Sequence, residues 1–212
     1  MKSSKTLIFD FDGTIANTLA IIMEIYNELA LKYGAKLISK DDIVKIRGLG
    51  IEELMQTYNV NPVKLPLLLF KVNQRLHQKI GQIQVVDGLI PVLKKLKTSN
   101  FDLGILTSNS QDNVKLFLKE KEISDLFDFI YTEKELFGKD KVIKRLLRTK
   151  QLISSQVIYI GDEVRDIKAA KKAGISIISV SWGRNNNHIL SKLNPGRVVD
   201  SPSQLLNLIE EF

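Results

Sequence analysis

Short apolar runs recur along the chain, each closed by acidic, glycine or hydroxyl residues, and between them apolar positions return every three or four residues. The runs at 6–11, 103–106, 129–131, 157–160, 175–180 and 197–199 predict strands. The stretches 89–97, 111–119, 139–149 and 167–172 predict amphipathic helices, and Ser201-Pro202 opens a last one. Strand, helix, strand alternation implies an α/β fold, a Rossmann-like parallel sheet core with helices on both faces. Ligands bind such sheets beyond the carboxyl ends of the strands, where the first aspartates fall.

Residues 17–84 break this rhythm. Ile21, Ile22, Ile25 and Leu29 have helical spacing, and no convincing buried strand follows. The division expected is a core of residues 1–16 and 85–212 with a small α-helical cap domain at 17–84. Those helices either pack permanently on the sheet or form a movable lid over its catalytic end.

Composition narrows the chemistry. The 212 residues include no cysteine, which excludes disulfides, thiolate metal sites and a cysteine nucleophile. His77 and His188 are far apart, so carboxylates and a hard cation such as magnesium are the metal chemistry left, and neither histidine earns a catalytic role. The apolar run before Asp10 is too short for an export signal, and 65–70 is far shorter than the roughly 20 residues that span a bilayer, so a cytoplasmic protein without membrane contact is expected. The formal charge of +7 favours anionic partners. Its densest run, 139–150, alternates cations with Val142, Ile143, Leu146 and Leu147 at helical spacing, so most of it belongs to a solvated helix face and no nucleic-acid partner is expected.

Asp10-Phe11-Asp12-Gly13-Thr14 places two carboxylates at a strand end, where period-two geometry would turn both to one side. Two bare carboxylates that close need a cation, although the same residues also suit a simple turn. An EF-hand loop fails, because the twelfth position is Ile21 where a bidentate glutamate is required. Further along, Thr107-Ser108-Asn109 ends a second strand in hydroxyl and amide donors, Gly138-Lys139 starts a helix, and Gly161-Asp162 with Asp166 follows a third strand. Asp162 and Asp166 are four apart and share a helix face.

In this order the segments resemble the four motifs of the haloacid dehalogenase superfamily: Asp10-x-Asp12-Gly13-Thr14, Thr107, Lys139, and Gly161-Asp162-x-x-x-Asp166. The likeness is greatest to the phosphoglycolate-phosphatase-like branch, whose helical cap lies between the first two motifs. It implies a phosphatase that hydrolyses a small phosphorylated metabolite, phosphoglycolate-like or other, with Asp10 as nucleophile and Asp12 as acid and base. It also implies Mg2+ held by Asp10, Asp12 through its backbone carbonyl, Asp162 and Asp166, the last orienting the cluster. Thr107, Ser108, Asn109 and Lys139 would bind the phosphoryl group, with Lys141 the fallback for the lysine, and Arg47 in Lys45-Ile46-Arg47-Gly48 would meet the distal end of the substrate. Trp182-Gly183 resembles a family loop near the site, though a lone tryptophan also suits simple packing. Asn17 departs from the aspartate frequent at that position. The carboxylate at Asp12 favours phosphoryl transfer over halide displacement, which needs no proton donor. A phosphomutase and a non-catalytic binding or regulatory protein are the alternatives, and oligomeric state is left open.

Overall fold

The computed structural model describes residues 5–133 and 138–211; the charged start of the chain at 1–4 lies outside them. Six parallel strands form one sheet: β1 (Thr6–Phe9), β2 (Asp102–Thr107), β3 (Phe129–Thr132), β4 (Val157–Gly161), β5 (Ser176–Val180) and β6 (Val198–Val199), in the order β3-β2-β1-β4-β5-β6. β1 is central, its Phe9 in register with Ile105 on one side and Ile160 on the other. The strand order reverses direction at β1, and the loops leaving β1, β2 and β4 therefore converge at one end of the sheet.

Four α-helices follow β1 before the core resumes: α1 (Leu19–Ala30), α2 (Ile43–Ile46), α3 (Ile51–Thr57) and α4 (Leu65–Gln78). The remaining helices are α5 (Leu89–Thr98), α6 (Gln111–Glu120), α7 (Lys139–Thr149), α8 (Val164–Ala173), α9 (Asn187–Leu193) and α10 (Pro202–Glu210). They start where side chains supply the missing acceptors: Ser110 Oγ takes the Asn113 N–H, Asn186 Oδ1 takes that of Ile189, and Ser201 Oγ takes that of Gln204 ahead of a helix with proline in its first turn.

Alternation along β1 divides the core. Leu7 and Phe9 pack with Leu93 of α5, Phe117 of α6 and Leu205 of α10, whereas Ile8 packs with Ile143 of α7 and Ile167 of α8. Helices thus cover both faces, and every β1 side chain is buried.

The insert leaves and rejoins the core at one point. Ala16 bridges to Val85, the Asn17 N–H donates to Gln84 O at 2.9 Å, and that of Val86 to Ile15 O at 2.9 Å. The Asn17 side chain is exposed there. α1 and α4 pair through Ile25, Leu29, Leu68, Val72 and Leu76, with Lys79 Nζ reaching Glu24 at 2.6 Å and Glu28 at 3.0 Å outside. Among the described residues no helix is long and apolar enough to cross a membrane.

Candidate active site

The strand expected at 6–11 ends at Phe9, although the Asp10 N–H still donates to Ile160 O at 2.8 Å. Beyond it, Phe11 O accepts from the amides of Thr14, Ile15 and Ala16, closing a tight turn in which Gly13 has φ +78°. Asp10 and Asp12 are brought near one another by that turn, not by the pleat that the two-residue spacing suggested. The extended backbone cannot continue once three amides converge on one carbonyl.

Asp10 is buried, with Oδ1 accepting the Phe11 N–H at 2.8 Å and Oδ2 accepting from Lys139 Nζ at 2.8 Å. Lys139, first residue of α7 behind a left-handed Gly138, also donates to Asp166 Oδ1 at 2.5 Å and lies over the Tyr159 ring, 5.1 Å from its centre. Its neighbour Lys141 is exposed. Asp166 spends its other oxygen on the Glu163 N–H at the start of α8, at 3.0 Å. Asp162, fully buried, accepts from Thr14 Oγ1 at 2.9 Å and from the Arg184 N–H at 2.6 Å.

Asp10, Asp162 and Asp166 each offer an oxygen within 4.8 Å of the others. Burial pushes the Asp10 carboxyl above the ordinary range, opposed by Lys139 and reinforced by Asp166. Burial and the charges of Glu163, Asp10 and Asp166 raise Asp162 well above it. Burial alone would lower the Lys139 ammonium, but Asp10 and Asp166 reverse this and hold it firmly protonated. The cluster is therefore a buried excess of negative charge with oxygen donors only, which fits a hard divalent cation.

Asp12 is partly buried and receives Asn109 Nδ2 at 3.2 Å and 3.1 Å, one contact to each oxygen. Burial and the Asp10 charge push its carboxyl up to about 6, against the pull of Asn109 and Thr18. Asn109 in turn is held by Asn113 Nδ2 at 2.9 Å and by the Ser110 N–H at 2.8 Å, and Asn113 Oδ1 meets His77 Nδ1 of α4 at 2.5 Å. The Asn109 amide is thus committed to Asp12, which the strand-end pattern alone does not reveal. Thr107 Oγ1 accepts the Asn109 N–H at 3.0 Å, leaving its own hydroxyl hydrogen to donate. Thr107, Ser108, Lys139 and Arg165 line one small hollow. Arg165, passed over in the sequence, pairs with Glu163 at 2.6 Å and adds positive charge near Asp10 and Asp166.

The structure does not bring Arg47 into this group. Its Nε donates to Gly183 O at 2.9 Å and a terminal nitrogen donates to Ser181 O, so the guanidinium fastens the insert to the loop after β5. The converse contact comes from Arg184, which donates to Ile46 O and, at 3.1 Å, to Leu49 O, while Asn185 Nδ2 reaches Arg47 O at 2.9 Å. Trp182 both packs on the core and donates from Nε1 to Thr14 O at 3.2 Å. At Gly183 a Cβ would come within 2.2 Å of Asp162 Oδ2 and 2.4 Å of Gly13 O, so the loop passes the carboxylates with no room for a side chain.

The insert contributes most of the walls of an open cavity of about 240 Å3, formed by leucine, isoleucine, valine, methionine and tyrosine together with Thr18. Asp12, Gly13, Asp162, Glu163 and Arg184 form its floor.

The chain is similar to known proteins. A phosphoglycolate phosphatase from Synechococcus elongatus is 28% identical over 208 residues, 98% of each chain. A haloacid dehalogenase-like family protein from Streptococcus pneumoniae superposes with a TM-score of 0.79 at 26% identity, covering 99% of this chain and 100% of that one. A protein from Clostridium acetobutylicum described as a predicted phosphatase shares the fold at a TM-score of 0.84 and 23% identity, with 99% and 100% covered. Residues 7–180, from β1 to the end of β5 and so including every strand that carries a site carboxylate, match the family model described as haloacid dehalogenase-like hydrolase, and the chain belongs to that family.

Proposed function

We propose that this chain is a Mg2+-dependent phosphatase of small phosphomonoesters, with residues 17–84 as a cap over its site. The observation that carries the reading is Lys139 Nζ, which bridges Asp10 at 2.8 Å and Asp166 at 2.5 Å. Its charge opposes the burial that raises the Asp10 carboxyl and so favours the ionised form a nucleophile needs.

An Asp10 oxygen attacks phosphorus in line, the bond from phosphorus to the ester oxygen breaks, and an aspartyl-phosphate forms. Asp12 gives its proton to the departing alkoxide. The resulting carboxylate then takes a proton from the water that attacks phosphorus, breaking the bond to Asp10 and releasing inorganic phosphate. A carboxyl titrating at about 6 suits both duties near neutral pH. Asn109 keeps Asp12 aimed through both exchanges. Thr107 and Ser108 offer hydroxyls and Lys139 its charge to the phosphoryl oxygens.

Asp10 and Asp162 would hold the ion with the Asp12 carbonyl, Asp166 orienting them through Lys139. When bound, a divalent cation supplies the positive charge that lets a dianionic phosphate approach so many carboxylates.

The test is release of inorganic phosphate from a panel of phosphomonoesters, with and without Mg2+, by the native chain and Asp10→Asn. Mg2+-dependent release that the variant loses while keeping its circular dichroism is expected. Unchanged turnover by Asp10→Asn would remove the nucleophile, and an isomerised ester in place of free phosphate would make the enzyme a mutase.

A further inference from the structure

We propose that the substrate carries an apolar alkyl or aryl group on the phosphorylated oxygen and that the cavity under the insert receives it; this rests on the phosphatase reading above. The cavity reaches the site, since Asp12, Gly13 and Asp162 line it, and Asp12 is the group assigned to protonate the departing oxygen, so the organic part of the ester lies on the cavity's side of the phosphate.

What waits there is apolar. Ile22 and Met23 of α1, Leu54 of α3, and Leu68 and Val72 of α4 form the walls. The two tyrosines contribute rings: the Tyr26 hydroxyl is spent on Lys36 O at 2.9 Å and that of Tyr58 on Asp42. At about 240 Å3 the space exceeds the roughly 150 Å3 that suffices for benzene in an engineered apolar cavity.

A second anionic group would fare badly in the same place. Among the described lining residues Arg184 is the one cation, and its guanidinium is already donating to Ile46 O and Leu49 O. Asp12, Asp162 and Glu163 present like charge at the floor. Arg47, expected at the distal end of the substrate, donates to Gly183 O and Ser181 O instead. A carboxylate such as that of phosphoglycolate would lose its water among leucines and gain no uncommitted cation, whereas a hydrocarbon would lose only unfavourable hydration.

The experiment is a series of straight-chain alkyl phosphates from methyl to hexyl, with phosphoglycolate alongside, assayed for kcat/KM with Mg2+. Each added methylene is expected to raise kcat/KM about threefold, more than about a hundredfold across the series, with phosphoglycolate below butyl phosphate. Leu54→Trp, which places a bulky ring in the cavity, should flatten the series, with hexyl phosphate losing its advantage over methyl phosphate. A flat native series, or phosphoglycolate preferred over every alkyl ester, overturns the proposal.

Binding of the matching alkylphosphonates, followed by calorimetry, separates the two readings. Affinity that rises with chain length while no ester is hydrolysed would sink the phosphatase assignment and keep the apolar pocket. Affinity independent of chain length sinks the pocket whatever the turnover.

Discussion

The carboxyl end of the sheet and the cavity beneath the insert are neighbours with opposite physics. At the sheet, Asp10, Asp12, Asp162 and Asp166 are tied to Lys139, Asn109, Thr14 and backbone amides by short contacts that fix each oxygen. In the cavity one aliphatic side chain could stand in for another: aliphatic walls tolerate volume-conserving exchange and impose no direction. A reaction demands the first kind of site, because charge must be met where it develops. Selection among esters demands only the second. The difference shows why one fold can keep its chemistry while its substrate changes.

Substitutions can break or sharpen this contrast. Asp10→Asn should lower kcat by about 10^4-fold or more for every ester regardless of its organic group, measured as phosphate release by folded protein; a loss confined to one ester would place selectivity at the sheet. Asp12→Asn should lower kcat/KM, which reports formation of the aspartyl-phosphate, by about 10^2- to 10^4-fold for alkyl esters and much less for 4-nitrophenyl phosphate, whose leaving group needs no proton. An equal loss for both would deny Asp12 the acid role.

Next in size, Mg2+ should raise the thermal midpoint of the native chain and not that of Asp162→Asn, read by scanning calorimetry as the loss of a ligand-linked shift. Stabilisation of both alike would place the ion elsewhere.

The smallest effect concerns the loop that passes between the regions. Asp200 accepts from Ser181 Oγ and from Asn187 Nδ2 at 2.9 Å and 3.0 Å, and these donors hold its carboxyl below the ordinary value of 3.8. A depressed folded-state value means stabilisation present above about 3.8 and lost as pH falls through the lower folded value. For so exposed a group this is under about 1 kcal/mol. Acid denaturation of Asp200→Asn should show that smaller pH dependence, with activity at neutral pH unchanged.

The sheet was legible in the sequence because buried parallel strands leave continuous apolar runs, and all six occupy the expected runs with ends shifted by a few residues. Asp10, Asp162 and Lys139 were legible because each sits beside a strand or helix end that dictates where it goes. Asn109 and Arg47 were not. Their orientation is set by partners 97 and 134 or more residues away, Asp12 for one and the carbonyls of Ser181 and Gly183 for the other, and no local spacing encodes such contacts. Nor does periodicity separate an apolar residue facing a cavity from one facing a packed neighbour. The walls of the cavity read simply as the inner faces of helices.

Gly183 acts as a keystone. With Asp162 on one side and the Gly13 carbonyl on the other, a single methyl group there would prise the turn after β1 from the loop after β5. Neither loop could therefore be grafted alone onto another scaffold, and the acidic cluster, drawn from the segments after the first and fourth strands, comes into being only when those two strands lie side by side.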